Sequence, residues 1–376
     1  MLNDRRRHPE IGSTVALPKN SFDGLLAHLR EEGYQPIGPR VQDGTLVYAP
    51  IQALADLPYG YVSEQEAGRF RVVQTGHTRY FDIIPGAHSW KQFLFPSRTE
   101  LFTLRQSESG WQTVSTEQEP PHYAFIGVRG CELAAIRIQD RVFFHSNFSD
   151  PIYRARRKNA FILSVNCLHP AGTCFCASMG TGPRVEENFD LNLTELEDVF
   201  LLKVGSEMGR AVLGGLPFEA ASAFLLNTAE RRLERATHQM GRSLDTSDLP
   251  EVILENLNHP HWREIAERCL SCANCTQVCP TCFCWDTLDN LSLDGKETTR
   301  ERVWDSCFNP GYSYQAGGNT RPTIQSRYRQ WMSHKLGTWK EQFDTLGCVG
   351  CGRCITWCPA GIDITAEVAA LRKEAH

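Results

Sequence analysis

The pattern Cys-x2-Cys-x2-Cys-x3-Cys-Pro occurs twice, as CLSCANCTQVCP at 269–280 and as CVGCGRCITWCP at 348–359. Thiolates are soft ligands that prefer zinc, copper(I) or iron–sulfur clusters. Zinc sites usually draw cysteines from two separated pairs around one tetrahedral ion. Here three cysteines at i, i+3 and i+6 precede a fourth at i+10 and a proline. That is the bacterial ferredoxin run, whose fourth cysteine ligates the other cluster where there are two. The expected ligand sets therefore cross. One 4Fe–4S cluster takes Cys269, Cys272, Cys275 and Cys358, and the other takes Cys348, Cys351, Cys354 and Cys279. Crossing requires the runs to lie side by side, with Pro280 and Pro359 ending the local turns. Between Cys279 and Cys348 lie 68 residues, far more than a compact ferredoxin hairpin needs. The clusters are expected on helices, with the intervening segment an excursion. A zinc-bound scaffold is the alternative from another class, and metal analysis separates the two.

Fifteen cysteines in a short secreted chain would suggest disulfides, but this chain has 376 residues and its cysteines are clustered. Its length predicts two or three domains. A net charge of −5 gives no reason to expect nucleic acid as a partner. The start, MLNDRRRHPE, has no apolar stretch after its basic residues, and no apolar run is long enough to span a bilayer. The expectation is a cytoplasmic protein without a membrane partner.

Phe22, Leu25, Leu26 and Leu29 keep a helical period, while GTLVYAPI and RFRVVQTG read as strands. From about residue 121 strand candidates alternate with helical segments: HYAFIGV, then CELAAIRIQDRVF, then NAFILSV, then VFLLKV leading into SEMGRAVLGG. This predicts an α/β (or α+β) N-terminal domain with a mostly parallel sheet. Turn formers in GRSLDTSDLP, after the charged helix candidate TAERRLERATHQMGR, place the boundary: residues 1–242 form the α/β domain and 243–376 an α-helical dicluster ferredoxin domain with little strand signal. The basic and aromatic RYRQWMSHKLGTWK is expected to pack on the ferredoxin domain or dock a partner, and Arg154, Arg156, Arg157 and Lys158 form a solvated face.

Four earlier cysteines suggest a third 4Fe–4S cluster. Cys131 follows one strand candidate and Cys167 another, and parallel strands end on one sheet edge, where ligand sites form. Cys174 and Cys176 follow in a short loop containing Gly172, so four thiolates converge. Against this, the 35 residues between Cys131 and Cys167 match no recognised motif, and two of the four would serve equally well as core residues. Of the remaining three, Cys307 reads as a buried small hydrophobe. Cys282 and Cys284 would line the first cluster without ligating it.

The stretches CLSCANCTQVCPTCFC at 269–284, VWDSC, AGG and GCVGCGRCITWCPAGIDI resemble the iron–sulfur β subunit of cytoplasmic sulfhydrogenases, which are NAD(P)-linked nickel–iron hydrogenases. RGCELAAIRIQDRVF, DPIYRARRKNAFILSVNC and CFCASMGTGP resemble the same subunits, so the likeness covers about the last two-thirds of the chain. It implies an electron conduit linking the hydrogenase small and large subunits with a FAD/NAD(P)-binding γ subunit. It also implies a helical ferredoxin domain. The iron–sulfur component of anaerobic sulfite reductase, which feeds a sirohaem subunit, shares the architecture and is the alternative complex. No GxGxxG follows a strand, the glycine-rich MGTGP lacks a P-loop lysine, and no hydrolase or zinc-protease motif occurs. The expected role is therefore non-catalytic. A flavin-dependent reductase in the N-terminal domain is the remaining enzymatic reading, and no residue constellation supports it.

Overall fold

The computed structural model describes residues 8–114, 120–144 and 148–373, so the first seven residues, with their basic run, lie outside it. The N-terminal part supplies β1 (Thr14–Pro18), β2 (Gln35–Gln42), β3 (Thr45–Pro50), β4 (Tyr61–Glu66), β5 (Arg69–Gln74), β6 (Arg98–Ser107) and β7 (Gly110–Val114). There follow β8 (Tyr123–Arg129), β9 (Phe161–Val165), β10 (Leu191–Glu195), β11 (Val199–Val204), β12 (Glu219–Ala220), β13 (Trp285–Leu291) and β14 (Glu297–Trp304).

Eight of these form a mixed sheet in the order β12-β1-β11-β10-β9-β8-β2-β3. Only its centre is parallel, where β10, β9, β8 and β2 run together. The flanks, β10-β11-β1-β12 and β2-β3, are antiparallel. This corrects the expectation of a mostly parallel sheet. VFLLKV is a strand, but it returns antiparallel from the buried LNLTE of β10, which the sequence pattern did not flag.

Strands β8 and β9 are mostly apolar and buried because both faces of the sheet are covered there. Ala124 and Ile126 of β8 point to one side, against Phe22, Leu25, Leu26 and Leu29 of the helix Phe22–Glu31. Phe125 and Val128 point to the other, against Leu133, Ile136 and Phe143 of the helix Gly130–Phe143 and Tyr153 of the helix Pro151–Lys158. Tyr153 and Arg157 of that last helix both bind Asp140, so its basic side is not wholly solvated.

Among the described residues the C-terminal part is α-helical around the two cysteine runs, apart from a small strand pair, Tyr314–Gln315 with Gly318–Asn319, and one larger departure. Residues 285–304 form an antiparallel hairpin, β13-β14, and β14 pairs with β6 of the N-terminal part in the sheet β13-β14-β6-β7. The excursion is thus a strand arm laid on the other half of the chain. Its turn carries Asp294-Gly295, with Gly295 at φ 69°. Asp-Gly is a strong hairpin signal. Every residue of β13 is exposed, so the strand shows no apolar alternation. RYRQWMSHKLGTWK packs on the ferredoxin part as expected: Tyr328, Trp331, Met332, Leu336 and Trp339 are all buried there. Its helix Ile324–Ser333 runs into a π-helical turn, His334–Thr338. Among the described residues no helix is long and apolar enough to cross a membrane.

Candidate iron–sulfur centres

The two cysteine runs share one backbone path. In the second, Gly350 and Gly352 are left-handed, at φ 64° and 74°. At the same offsets in the first, Ser271 and Ala273 are also left-handed, at φ 51° and 65°. Each run then enters a four-residue helix, Asn274–Gln277 or Arg353–Thr356, and the two short helices pack together. The amide of Ser271 donates to Cys269 Sγ at 3.4 Å, and that of Gly350 to Cys348 Sγ at 3.5 Å. A left-handed turn that aims amides at a sulfur stabilises a thiolate there. Side chains other than glycine resist this conformation by roughly 1–2 kcal/mol per residue, so the first run holds its turn under strain.

Gly352 has a second constraint. A Cβ there would stand 2.4 Å from the Thr173 carbonyl oxygen, since the 173–176 loop of the N-terminal part lies directly on the second run. Gly352→Ala is therefore expected to lower stability by about 1–2 kcal/mol from the left-handed backbone alone, with a further loss from the backbone clash. Thermal denaturation of the anaerobic protein checks this, and an unchanged midpoint would contradict the close packing.

The thiols gather as three groups. Cys269, Cys272, Cys275 and Cys358 line a partly open cavity of about 30 Å³ together with Tyr328 and Trp331. Cys354 also reaches this cavity, so the first and second groups adjoin. Burial pushes the Cys275 thiol well up, with Cys269, Cys358 and Cys272 as charged neighbours adding to it. In the second group burial pushes Cys348 up to about 12, against the pull of Lys335. Cys354 is raised well above the usual range by burial and then by Cys348, Cys351 and Cys279. The sulfur that leaves each run thus sits among those of the other run. Cys279 differs, because it is held well below the usual thiol range, first by a hydrogen bond from Cys282 and then, against burial, by Lys335 and Thr281.

The third group is Cys131, Cys167, Cys174 and Cys176, all four lining one cavity of about 20 Å³. Cys131 opens the helix that follows β8, and Cys167 follows β9, the parallel neighbour of β8. Their strands end on the same edge, as the sequence suggested. Cys351 and Arg353 of the second run line this cavity too. Arg353 is 3% exposed and pairs with Glu132, 1% exposed, at 2.6 Å. Tyr48 and the Trp90 indole also donate to that carboxylate, at 3.0 and 3.2 Å. Arg353 donates further to the carbonyls of Gly86 and His88, at 2.9 and 3.1 Å. Sequence reasoning gave no role to Glu132, Arg353 or the buried Lys335.

Cys282 lies against Cys279, and Cys284 accepts hydrogen bonds from Cys307 and Tyr312. The Cys284–Cys307 contact sits at the base of the β13-β14 hairpin, where the Asp305 amide donates to the Cys284 carbonyl at 2.9 Å. Cys307 is half-buried rather than buried, and Cys284 lies with it instead of lining the first cavity. Among the described residues no three His, Cys, Asp or Glu side chains are placed to hold a single metal ion.

The pattern of a 4Fe–4S dicluster domain matches residues 268–362, which span both runs and the hairpin between them. Sulfhydrogenase 2 subunit beta of Pyrococcus furiosus is 34% identical over 311 residues, covering 81% of this chain and 89% of that protein. The chain belongs to the sulfhydrogenase β-subunit family. As a member of that family with a two-cluster domain, it is an iron–sulfur protein with an electron-transfer role. No solved structure matches it.

Proposed function

We propose that this β-subunit homologue is the non-catalytic electron relay of a hydrogenase complex, standing between the nickel–iron small and large subunits on one side and a FAD/NAD(P)-binding γ subunit on the other. The observation that carries the reading is the exchange of sulfurs between the runs: Cys358 beside Cys269 and Cys275, and Cys279 beside Cys348, Cys351 and Cys354. Cys269, Cys272, Cys275 and Cys358 hold the first 4Fe–4S cluster, and Cys348, Cys351, Cys354 and Cys279 hold the second. Cys131, Cys167, Cys174 and Cys176 hold a third. The residues fit such groups. The thiols of the first and third groups each line one cavity, and the buried ammonium of Lys335 lies 3.4 Å from Cys279 Sγ with no carboxylate among its partners in the described residues.

Bound there, 4Fe–4S clusters supply one-electron carriers. The protein contributes position and environment. The cysteines fix the distances, amides such as those of Ser271, Gly350 and Ile362 donate to sulfur, and the apolar wall of Tyr328, Trp331 and Phe308 covers the inner side of the first site. Residues 1–242 carry the third site, and residues 243–376 carry the other two and send their hairpin back across the boundary.

Iron per chain on anaerobically prepared protein tests the assignment. Three clusters give about twelve irons and two give about eight, at four per cubane. The double variant Cys174→Ser, Cys176→Ser should lose the difference. A fully loaded wild type at eight, unchanged in the variant, would remove the third cluster. Zinc in place of iron and sulfide would remove the whole reading. Hydrogen-dependent NAD(P) reduction by the native complex, against sulfite reduction, decides which complex the relay serves.

A further inference from the structure

We propose that Lys335 is the fixed countercharge of the second cluster and sets its reduction potential above that of the first, so that electrons entering at the exposed first cluster collect at the second, next to the third site. This rests on the cluster assignment proposed above.

Lys335 is 3% exposed and lies in the π-helical turn. Such turns recur at functional sites, because the extra residue re-aims a side chain. Its three N–H donors are all used, on Thr281 Oγ1 at 2.9 Å, the Gly347 carbonyl at 3.0 Å and Cys279 Sγ at 3.4 Å. The Trp339 ring centroid stands 5.2 Å away. None of these is a carboxylate. A buried ammonium without an anion is costly, and burial by itself would lower its proton affinity. Of its three acceptors only the Cys279 sulfur can carry a negative charge, so the anion facing this ammonium is a thiolate ligand of the second site.

Arg353 adds a second buried cation to the same group: it lines the third cavity together with Cys351 and is fixed by Glu132. Among the described residues no cationic side chain donates to a sulfur of the first group. Arg327, the cation that acts on Cys269, donates instead to the carbonyls of Arg321 and Pro322 at 3.2 Å, and Cys269 takes its sulfur hydrogen bond from a backbone amide. Each added electron makes a cluster more negative, so a cation in contact favours the reduced form. The first cluster has a competing advantage, since Cys272 is exposed and water on that face also favours reduction. Water reaches one face only, whereas Lys335 touches its ligand with no solvent between, where charge is least screened. The buried cations therefore win. Geometry adds a direction: the exposed Cys272 marks the first cluster as the port, while Cys351 of the second borders the third cavity.

The test is an electron paramagnetic resonance redox titration of the anaerobic full-length chain. Cys272→Ser identifies the first cluster by perturbing its signal. In the wild type that signal should carry the lower of the two ferredoxin midpoints. Lys335→Gln should lower the other midpoint, bringing the pair together, and leave the first unmoved, while Lys335→Arg restores most of the separation. A Lys335 that only supports the fold would lower stability without moving a midpoint. Unchanged midpoints in Lys335→Gln, or equal shifts of both, would overturn the proposal. If Lys335→Gln loses iron, the wild-type order decides: a higher midpoint on the Cys272-sensitive signal overturns it. A wild type without iron and sulfide overturns the cluster assignment instead, and the iron count tells the two failures apart.

Discussion

Glu132→Ala should cost about 3–5 kcal/mol of stability, the range for removing one partner of a buried ion pair. Its carboxylate is the only anion paired with Arg353 among the described residues, and it also accepts from Tyr48 and Trp90. Deleting it leaves a guanidinium, a phenol and an indole without their acceptor in a region closed to water. The loss should reach beyond the fold. Arg353 belongs to the second cysteine run, Glu132 follows Cys131, and the pair clamps the ferredoxin part to the sheet edge carrying Cys131 and Cys167. Glu132→Gln keeps one acceptor oxygen and should lose less. Anaerobic denaturation of both variants, with iron counted before unfolding, measures the two effects. A loss below about 1 kcal/mol in Glu132→Ala, the scale of an exposed pair, would show that Arg353 finds other compensation.

The cysteines were legible because their spacing encodes their use: a loop must present three sulfurs within one turn and send a fourth away, and few sequences do so by chance. The third group was legible for a different reason. Cys131 and Cys167 each follow an apolar strand, and the two strands are parallel neighbours, so chain order was enough to put their ends together. The mixed sheet was hidden because VFLLKV reads the same whether it runs parallel or antiparallel, and LNLTE before it is half polar. The polar residues there are satisfied inside: Asn192 and Thr194 bond Ser164 and Asn166 on and beside the neighbouring strand. The hairpin at 285–304 showed only its Asp-Gly turn, since an exposed edge strand needs no apolar pattern. Lys335 and Arg353 were invisible for the deepest reason. Lys335 is one of several basic residues in its segment and Arg353 is a single one between ligand cysteines, and only tertiary packing reveals that the first meets a sulfur and the second a buried carboxylate.

Removing iron and sulfide by anaerobic chelation should unfold the ferredoxin part and leave the sheet standing. The helices inside the runs have four residues each, too short to persist unsupported. Ser271 and Ala273 hold left-handed turns against their own preference. The apolar core around Tyr328, Trp331 and Ile355 packs directly on Cys269, Cys275, Cys348, Cys354 and Cys358, so the cluster sites are part of that core. Once the metal leaves, burial returns protons to thiols such as Cys275 and Cys354. Metal binding in such a domain is folding free energy. The main core under β8, β9 and β10 contains no cysteine and is held by the helix Phe22–Glu31, so it should persist. Hydrogen exchange with mass spectrometry separates the two regions. Residues 268–362 should lose roughly a thousandfold in protection, equivalent to about 4 kcal/mol of local opening free energy, while the central strands change by less than about tenfold. Equal loss in both would mean that one cooperative unit carries the clusters and the sheet, bound through the Glu132–Arg353 pair and the β6-β14 pairing. Full protection after chelation would mean that the cysteine runs are held by packing alone.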